Sequence, residues 1–417
     1  MQALVLSAGL SSRFFPYNVK HKSLVKIAGE PIIVHTIRSI KKYGITDIVV
    51  AVPNDTDFQQ VLENGKKYGV KIRYVIDRNA EGSGETLLKA KNLITSDFFL
   101  VNANNVGFES LAKKIDTKRK SNSEIVLLAR EAAGGMHLGV LKTNGDRVSE
   151  IIEKPKDKNV DSALRVIGVY FLNQDFIDVL RKEKKGHYSL EAAINTFAKL
   201  GRAKFAITNE YFSLKYPWDL LNIKNYILGK FTRSISSHAN ISKKSIIEGN
   251  VVIEAGATVL ENAVIKGPAY IGKDVYIGSN TLVRDASDIE EGSVVGGYME
   301  IKNSLIQPFS KTHSGHFEDS IMGENSRLGA LFTSANVKLD RKNIEVRIGK
   351  ERIGTNLRSL GVIIGSNVRM GVRVSTMPGV IIGNNVNIGP STTVMKNIDS
   401  DTSYYTKFSE IIEKRKG

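Results

Sequence analysis

The sequence predicts two domains of different class: an α/β domain with a mostly parallel sheet, then a parallel β-helix of six-residue repeats. Three observations carry that prediction. A chain of 417 residues is too long for one ordinary core. Apolar runs of strand length alternate with helical patterns over residues 1–235. From Ile241 onward an aliphatic residue recurs at every sixth position.

In the first part, the runs at 3–7, 48–52, 72–76, 98–102, 125–129 and 167–172 read as buried strands. Between them, residues 31–44 open with Pro31 and close with Gly44, the usual asymmetry of helix ends. Residues 84–94 give a second helical pattern. Such alternation implies a doubly wound sheet whose ligands sit beyond the C-terminal strand ends. The boundary falls near 230–238, so the expected domains are 1–235 and 236–417.

In the second part, Ile241, Ile247, Ile253, Val259, Ile265, Ile271, Ile277, Val283, Ile289, Val295 and Ile301 follow one another six apart. Neither the 3.6-residue helix nor the two-residue strand requires that period. A β-helix does, because each six-residue side of a coil points one aliphatic residue inward. Gly272 and Gly278 follow their isoleucines where a corner leaves little room. A second run comprises Met322, Leu328, Ile364, Met370, Ile382, Ile388 and Val394, with Thr376 as its polar break. Residues 329–360 depart from the period and carry many charges. They read as an excursion on the binding face, with a tolerated surface insertion as the alternative.

Composition narrows the class. With 41% hydrophobic and 24% charged residues the chain is ordinary globular protein, and no apolar stretch approaches a membrane span. Its start reads as a first strand and not as a signal peptide, so a cytoplasmic location is expected. The absence of cysteine excludes disulfides, thiolate metal sites and cysteine nucleophiles. The formal charge of +16 is spread along the chain without a nucleic-acid-binding signature. Anionic small molecules account for it, and neither nucleic acid nor membrane is an expected partner.

The loop after the first strand is rich in glycine and serine and sets Arg13 and Lys22 nine residues apart. Backbone N–H groups of such a turn can approach phosphate, and two cations can neutralise a triphosphate. Taken alone, a plain first turn explains it equally well. The loop is followed in order by GSG at 82–84, IIEKP at 151–155, IGVYFL at 167–172 and YPWDLL at 216–221. Together these resemble the signature of sugar-1-phosphate nucleotidylyltransferases over residues 1–230. With the β-helix behind, the chain resembles the bifunctional sugar-1-phosphate nucleotidylyltransferase/acetyltransferase family.

That resemblance implies a Rossmann-like, GT-A-like nucleotidyltransferase domain and a left-handed β-helix that associates as a homotrimer. It implies attack of a sugar-1-phosphate on the α-phosphorus of an NTP with loss of pyrophosphate. Catalysis of that kind rests on positioning and on charge neutralisation by Mg²⁺, Arg and Lys. By resemblance, Arg13 would hold the triphosphate and Lys22 the phosphates at the reacting centre. Gly9, Ser12, Gly82 and Ser83 would shape the nucleotide site. Glu153 and Lys154 would face the sugar phosphate, with Gly139 and Gly168 lining the same nucleotide-sugar site.

The departures are specific. Ala103 and Asn104 stand at the family's Gly-Asp, where the Asp holds metal, and Ser213 stands at the second metal position with Lys215 beside it. Ser11, His21, Leu138 and Val166 also depart from the pattern. Mg²⁺ prefers anionic oxygen ligands, so weakened nucleotidyl transfer is expected. In the β-helix, the family's acetyl-CoA-dependent site is matched by His313 as general base, Asn336 and Lys342. His316 replaces a Tyr, Glu345 falls where some relatives keep Lys, and Leu331 occupies the third place of a G-A-G turn. Two surface histidines on a loop would account for it equally well. The alternative to an enzyme is a degenerate nucleotide-sugar-binding subunit, regulatory or scaffolding, associated with an active paralogue.

Overall fold

The computed structural model describes residues 1–9, 11–53, 56–121, 123–132, 139–152 and 163–413. These residues form two compact units, Met1–Ser11 with Pro31–Ser213, and Ser12–Glu30 with Leu214–Gly417. The loop carrying Arg13 and Lys22 thus belongs with the β-helix, as does the helix Asp219–Leu228.

The first unit is built on a nine-stranded sheet. Lys71–Ile76, Asp47–Val52, Gln2–Leu6 and Phe98–Asn102 lie side by side and parallel. Ala163–Leu172 follows, antiparallel to both neighbours, then Ile125–Ala132 and Ala203–Ile207. The hairpin Val140–Asn144 and Arg147–Ile152 completes the far side. The central strands are continuous apolar runs because both sheet faces are covered. Phe98 and Leu100 share a buried cluster with Leu190, Ala193 and Phe197, while Phe99 packs edge-on to Phe108 at 5.1 Å. The helix Ile32–Tyr43 ends where Gly44 turns left-handed at φ 107°, as its sequence requires.

In the second unit, three parallel sheets of eight, nine and eight short strands stack coil upon coil. The six-residue ladder is its core: Ile253, Val259, Ile265, Ile271, Ile277, Val283, Ile289, Val295 and Ile301 are buried in one cluster. Each buried aliphatic side chain contributes ~1.5–3 kcal/mol. Gly272 is small for want of space, since a Cβ there would lie 2.8 Å from the backbone nitrogen of Glu291. The left-handed corner conformation falls two residues later, at Asp274, where a short polar side chain tolerates it.

Between Ile301 and Met322 the coils shorten. Val251 pairs with Ala269, eighteen positions on, but Leu305 pairs with Ile321, sixteen positions on. Ile306, Thr312 and Phe317 fill the inward positions that the strict period misses. The strand Phe332–Ser334 still belongs to the ladder, with Thr333 paired to Ser375. The chain leaves the coil after it and returns where the Leu360 N–H donates to the Asn336 carbonyl at 2.9 Å. Inside that excursion, Glu345–Ile348 and Glu351–Gly354 form an antiparallel hairpin. No helix among the described residues is long and apolar enough to cross a membrane.

Candidate functional sites

In the first unit, Gly9 and Gly82 lie beyond the C-terminal ends of the strands Gln2–Leu6 and Lys71–Ile76, Gly168 lies within Ala163–Leu172, and Gly139 precedes Val140–Asn144. Gly9 lies in an exposed bend after Gln2–Leu6. Gly82 begins the helix Ser83–Ala90 at φ 145°, and a Cβ there would stand 2.5 Å from the His187 carbonyl oxygen. Only glycine fits. Gly168 is equally constrained, because a Cβ would run into the Asn102 side chain. Gly139 is buried and accepts a hydrogen bond from the Val166 N–H at 3.1 Å. Glu153, Lys154 and Leu138 lie outside the described residues.

The two neutral replacements come together. The Asn104 amide donates to the carbonyl of Phe212, the residue before Ser213. Nearby, Asn105 Nδ2 donates to the carbonyls of Asn102 and Gly168 at 3.1 and 3.0 Å. Asn104 and Ser213 offer only neutral oxygens, and the Asn104 amide nitrogen is turned to a backbone carbonyl. This donor set does not fit Mg²⁺.

In the second unit, the phosphate-loop segment is seated on the coils. The Ala28 N–H donates to Asp288 Oδ2 at 2.8 Å and the Gly29 N–H to Glu290 Oε1 at 3.0 Å. Lys26 Nζ meets Glu291 at 3.1 Å, and Gln307 Nε2 donates to the Lys26 carbonyl at 2.8 Å. The Tyr17 hydroxyl donates to the Ile364 carbonyl at 2.6 Å, and Asn384 Nδ2 to the Pro16 carbonyl at 2.8 Å. Ser12 and Arg13 are exposed, and Lys22 is half-buried on the short helical turn Lys22–Leu24. His21, at the position expected to be Pro, caps that turn by accepting from the Ser23 N–H.

Burial pushes the Lys22 ammonium below the ordinary lysine range; the Asp219 carboxylate opposes that shift and Arg13 adds to it. Asp219 also accepts from the N–H groups of Lys215 and Tyr216 at 2.6 and 3.0 Å. Sequence reasoning saw Asp219 only as part of a helix motif. It is the acidic partner in the neighbourhood of the two cations.

On the coils themselves, His313 is exposed and its N–H donates to the Leu328 carbonyl at 3.1 Å. Asn336 Nδ2 bridges Glu318 and Asp319 at 2.9 and 2.6 Å. Lys342 is exposed, and among the described residues no hydrogen bond or ion pair joins it to His313 or Asn336. Leu331 holds a left-handed φ of 59°, which costs a branched residue roughly 1–2 kcal/mol. The structure therefore brings Asn336 to the acidic coil face and leaves His313 and Lys342 open to solvent.

Comparison with known proteins agrees with this architecture. A nucleotidyl transferase family model matches residues 2–218. The chain is 33% identical to the "Bifunctional protein GlmU" of Methanococcus aeolicus and 30% identical to that of Methanocaldococcus jannaschii, over the full length of both partners in each case. It is 30% identical to the "Bifunctional sugar-1-phosphate nucleotidylyltransferase/acetyltransferase" of Sulfurisphaera tokodaii, covering 95% of this chain and 98% of the other. The chain, an α/β nucleotidyltransferase domain with a β-helix behind it, belongs to the bifunctional sugar-1-phosphate nucleotidylyltransferase/acetyltransferase family.

Proposed function

We propose that the protein works in nucleotide-sugar biosynthesis with unequal sites. Its front part, residues 1–235, binds an NTP and sugar phosphate, or the nucleotide sugar, but transfers the nucleotidyl group weakly. Its β-helix, residues 236–417, carries acetyl transfer from acetyl-CoA. The observation behind the asymmetry is the Asn104 amide donating to the Phe212 carbonyl at the place where carboxylates would hold Mg²⁺. Without that charge the negative charge that develops on the transferred group is poorly stabilised. In the β-helix, His313 is open to solvent as a base for a sugar amine, with Asn336 and Lys342 as further members of the site.

Self-association as a homotrimer through the β-helix is part of this reading. Tyr298 and Leu331, on nearby coils, are 74% and 54% exposed in the single chain, which suits a covered surface. A second reading makes the front part a sensor subunit beside an active paralogue, and the same neutral metal positions favour it. Both are tested by supplying Mg²⁺, each NTP and a panel of sugar-1-phosphates, and by supplying acetyl-CoA with amino-sugar phosphates. The first reading expects slow pyrophosphate release and clear CoA release that His313→Ala abolishes. Nucleotide-sugar binding without either release selects the sensor.

A further inference from the structure

The geometry points to a divalent-metal site on the outer face of the β-helix, held by Glu300, His316 and Glu318. One ligand atom from each of these side chains lies within 4.8 Å of the other two. Their convergence follows from the coil. The strands Met299–Lys302 and Gly315–Glu318 pair in parallel, with Glu300 beside His316. Phe317 points inward and is fully buried, so His316 and Glu318, two residues apart, share the outer face.

Distances and charge suit an ion. His316 Nδ1 is 3.4 Å from Glu300 Oε2. Two ligands each about 2.1 Å from a tetrahedral ion stand ~3.4 Å apart. Each carboxylate is also held by a neighbour: Arg284 Nε donates to Glu300 Oε1, the oxygen turned from His316, at 2.7 Å, and Asn336 Nδ2 donates to Glu318 Oε2 at 2.9 Å. Outer partners of this kind fix metal-ligating groups. Arg284 also pairs with Asp285, and Lys302 with Asp319 at 3.0 Å. Glu300, Glu318, Asp285 and Asp319 are thus faced by Arg284, Lys302 and, through Asn303, Lys224, so carboxylates outnumber cations around the three side chains.

One imidazole with two carboxylates suits a borderline ion such as Zn²⁺ or Co²⁺ better than Mg²⁺. Three protein ligands leave a position for water or for an oxygen of a bound molecule. His316 is the residue that departs from the family's Tyr, so the departure supplies the one nitrogen ligand of the set.

The test is titration of the metal-free full chain with Co²⁺, reading its visible d–d absorption, with Zn²⁺ as competitor. One Co²⁺ per chain is expected, displaced by Zn²⁺. His316→Tyr and Glu318→Gln should each remove the band, and Asn336→Ala should weaken binding by ~10-fold or more. Circular dichroism confirms that each variant is folded, and a misfolded His316→Tyr leaves the decision to Glu318→Gln. No saturable band, or a band unchanged in the folded variants, overturns the site.

Discussion

The backbone N–H of Ala28 donates to the carboxylate of Asp288 at 2.8 Å, across 260 residues of sequence. The segment that carries Arg13 and Lys22 is thereby fixed on the β-helix. Lys224, from the helix Asp219–Leu228, lies in the same buried group and donates to Asn303 Oδ1 at 3.1 Å and to the Ala286 carbonyl.

This buried group gives stability a pH signature. Burial raises Asp288 to about 7, with the Ala28 hydrogen bond and Lys224 opposing. Its contribution is complete below the unfolded carboxyl value near ~4 and is lost as pH rises to about 7. Burial lowers Lys224 to about 7, so its own contribution is present in alkali and is lost as pH falls to about 7. The two groups interact, so these titrations belong to the buried pair and not to either residue alone. Asp288→Asn, measured by thermal unfolding, should match wild type near pH 4 and gain on it steadily toward pH 7. A difference independent of pH contradicts this assignment.

Tyr17→Phe removes the hydroxyl that donates to the Ile364 carbonyl. A net loss of ~1 kcal/mol is expected in denaturant titration. Because the loop carries Arg13 and Lys22, nucleotide binding by calorimetry should weaken as well. Unchanged stability and affinity would mean the anchor is idle.

Thr376 is fully buried in the β-helix, and among the described residues its hydroxyl has no hydrogen-bond partner. Replacement by the similarly shaped Val removes an unsatisfied polar atom. Thr376→Val should raise stability by ~1–2 kcal/mol. A fall in the unfolding midpoint would show that the hydroxyl is satisfied in solution.

Leu331 stands in left-handed conformation, 54% exposed, on the turn where the family keeps glycine. Leu331→Gly should lower the KM for acetyl-CoA without lowering kcat, because it removes bulk and not a catalytic group. An unchanged or raised KM would place the acyl donor elsewhere.

Much of this fold was legible because both periodicities are physical. The strands at 48–52 and 98–102 were continuous apolar runs since helices cover both sheet faces, and Ile265 and Ile271 repeat because each coil side buries one residue. The coils at 302–321 were missed because shortened corners break the strict count; Leu305–Ile306 and Phe317 were the available signal. Gly82 and Gly168 stand where a side chain would meet the His187 carbonyl and the Asn102 amide, which is a packing reason for glycine at each. Grouping Arg13 and Lys22 with the β-helix was not readable, because it rests on backbone N–H groups meeting Asp288 and Glu290. Residue types do not encode that contact, and Asp219 went unnoticed for a similar reason.

Under the proposed function, the missing charge at Asn104 and Ser213, and not the scaffold, limits nucleotidyl transfer. The direct measurement is Mg²⁺-dependent pyrophosphate release by wild type and by Asn104→Asp with Ser213→Asp, over the same NTP and sugar-1-phosphate panel. At least a 10-fold gain is expected in the double variant, which corresponds to about 1.4 kcal/mol of transition-state stabilisation. Efficient release by wild type, with no gain on adding the carboxylates, would contradict it.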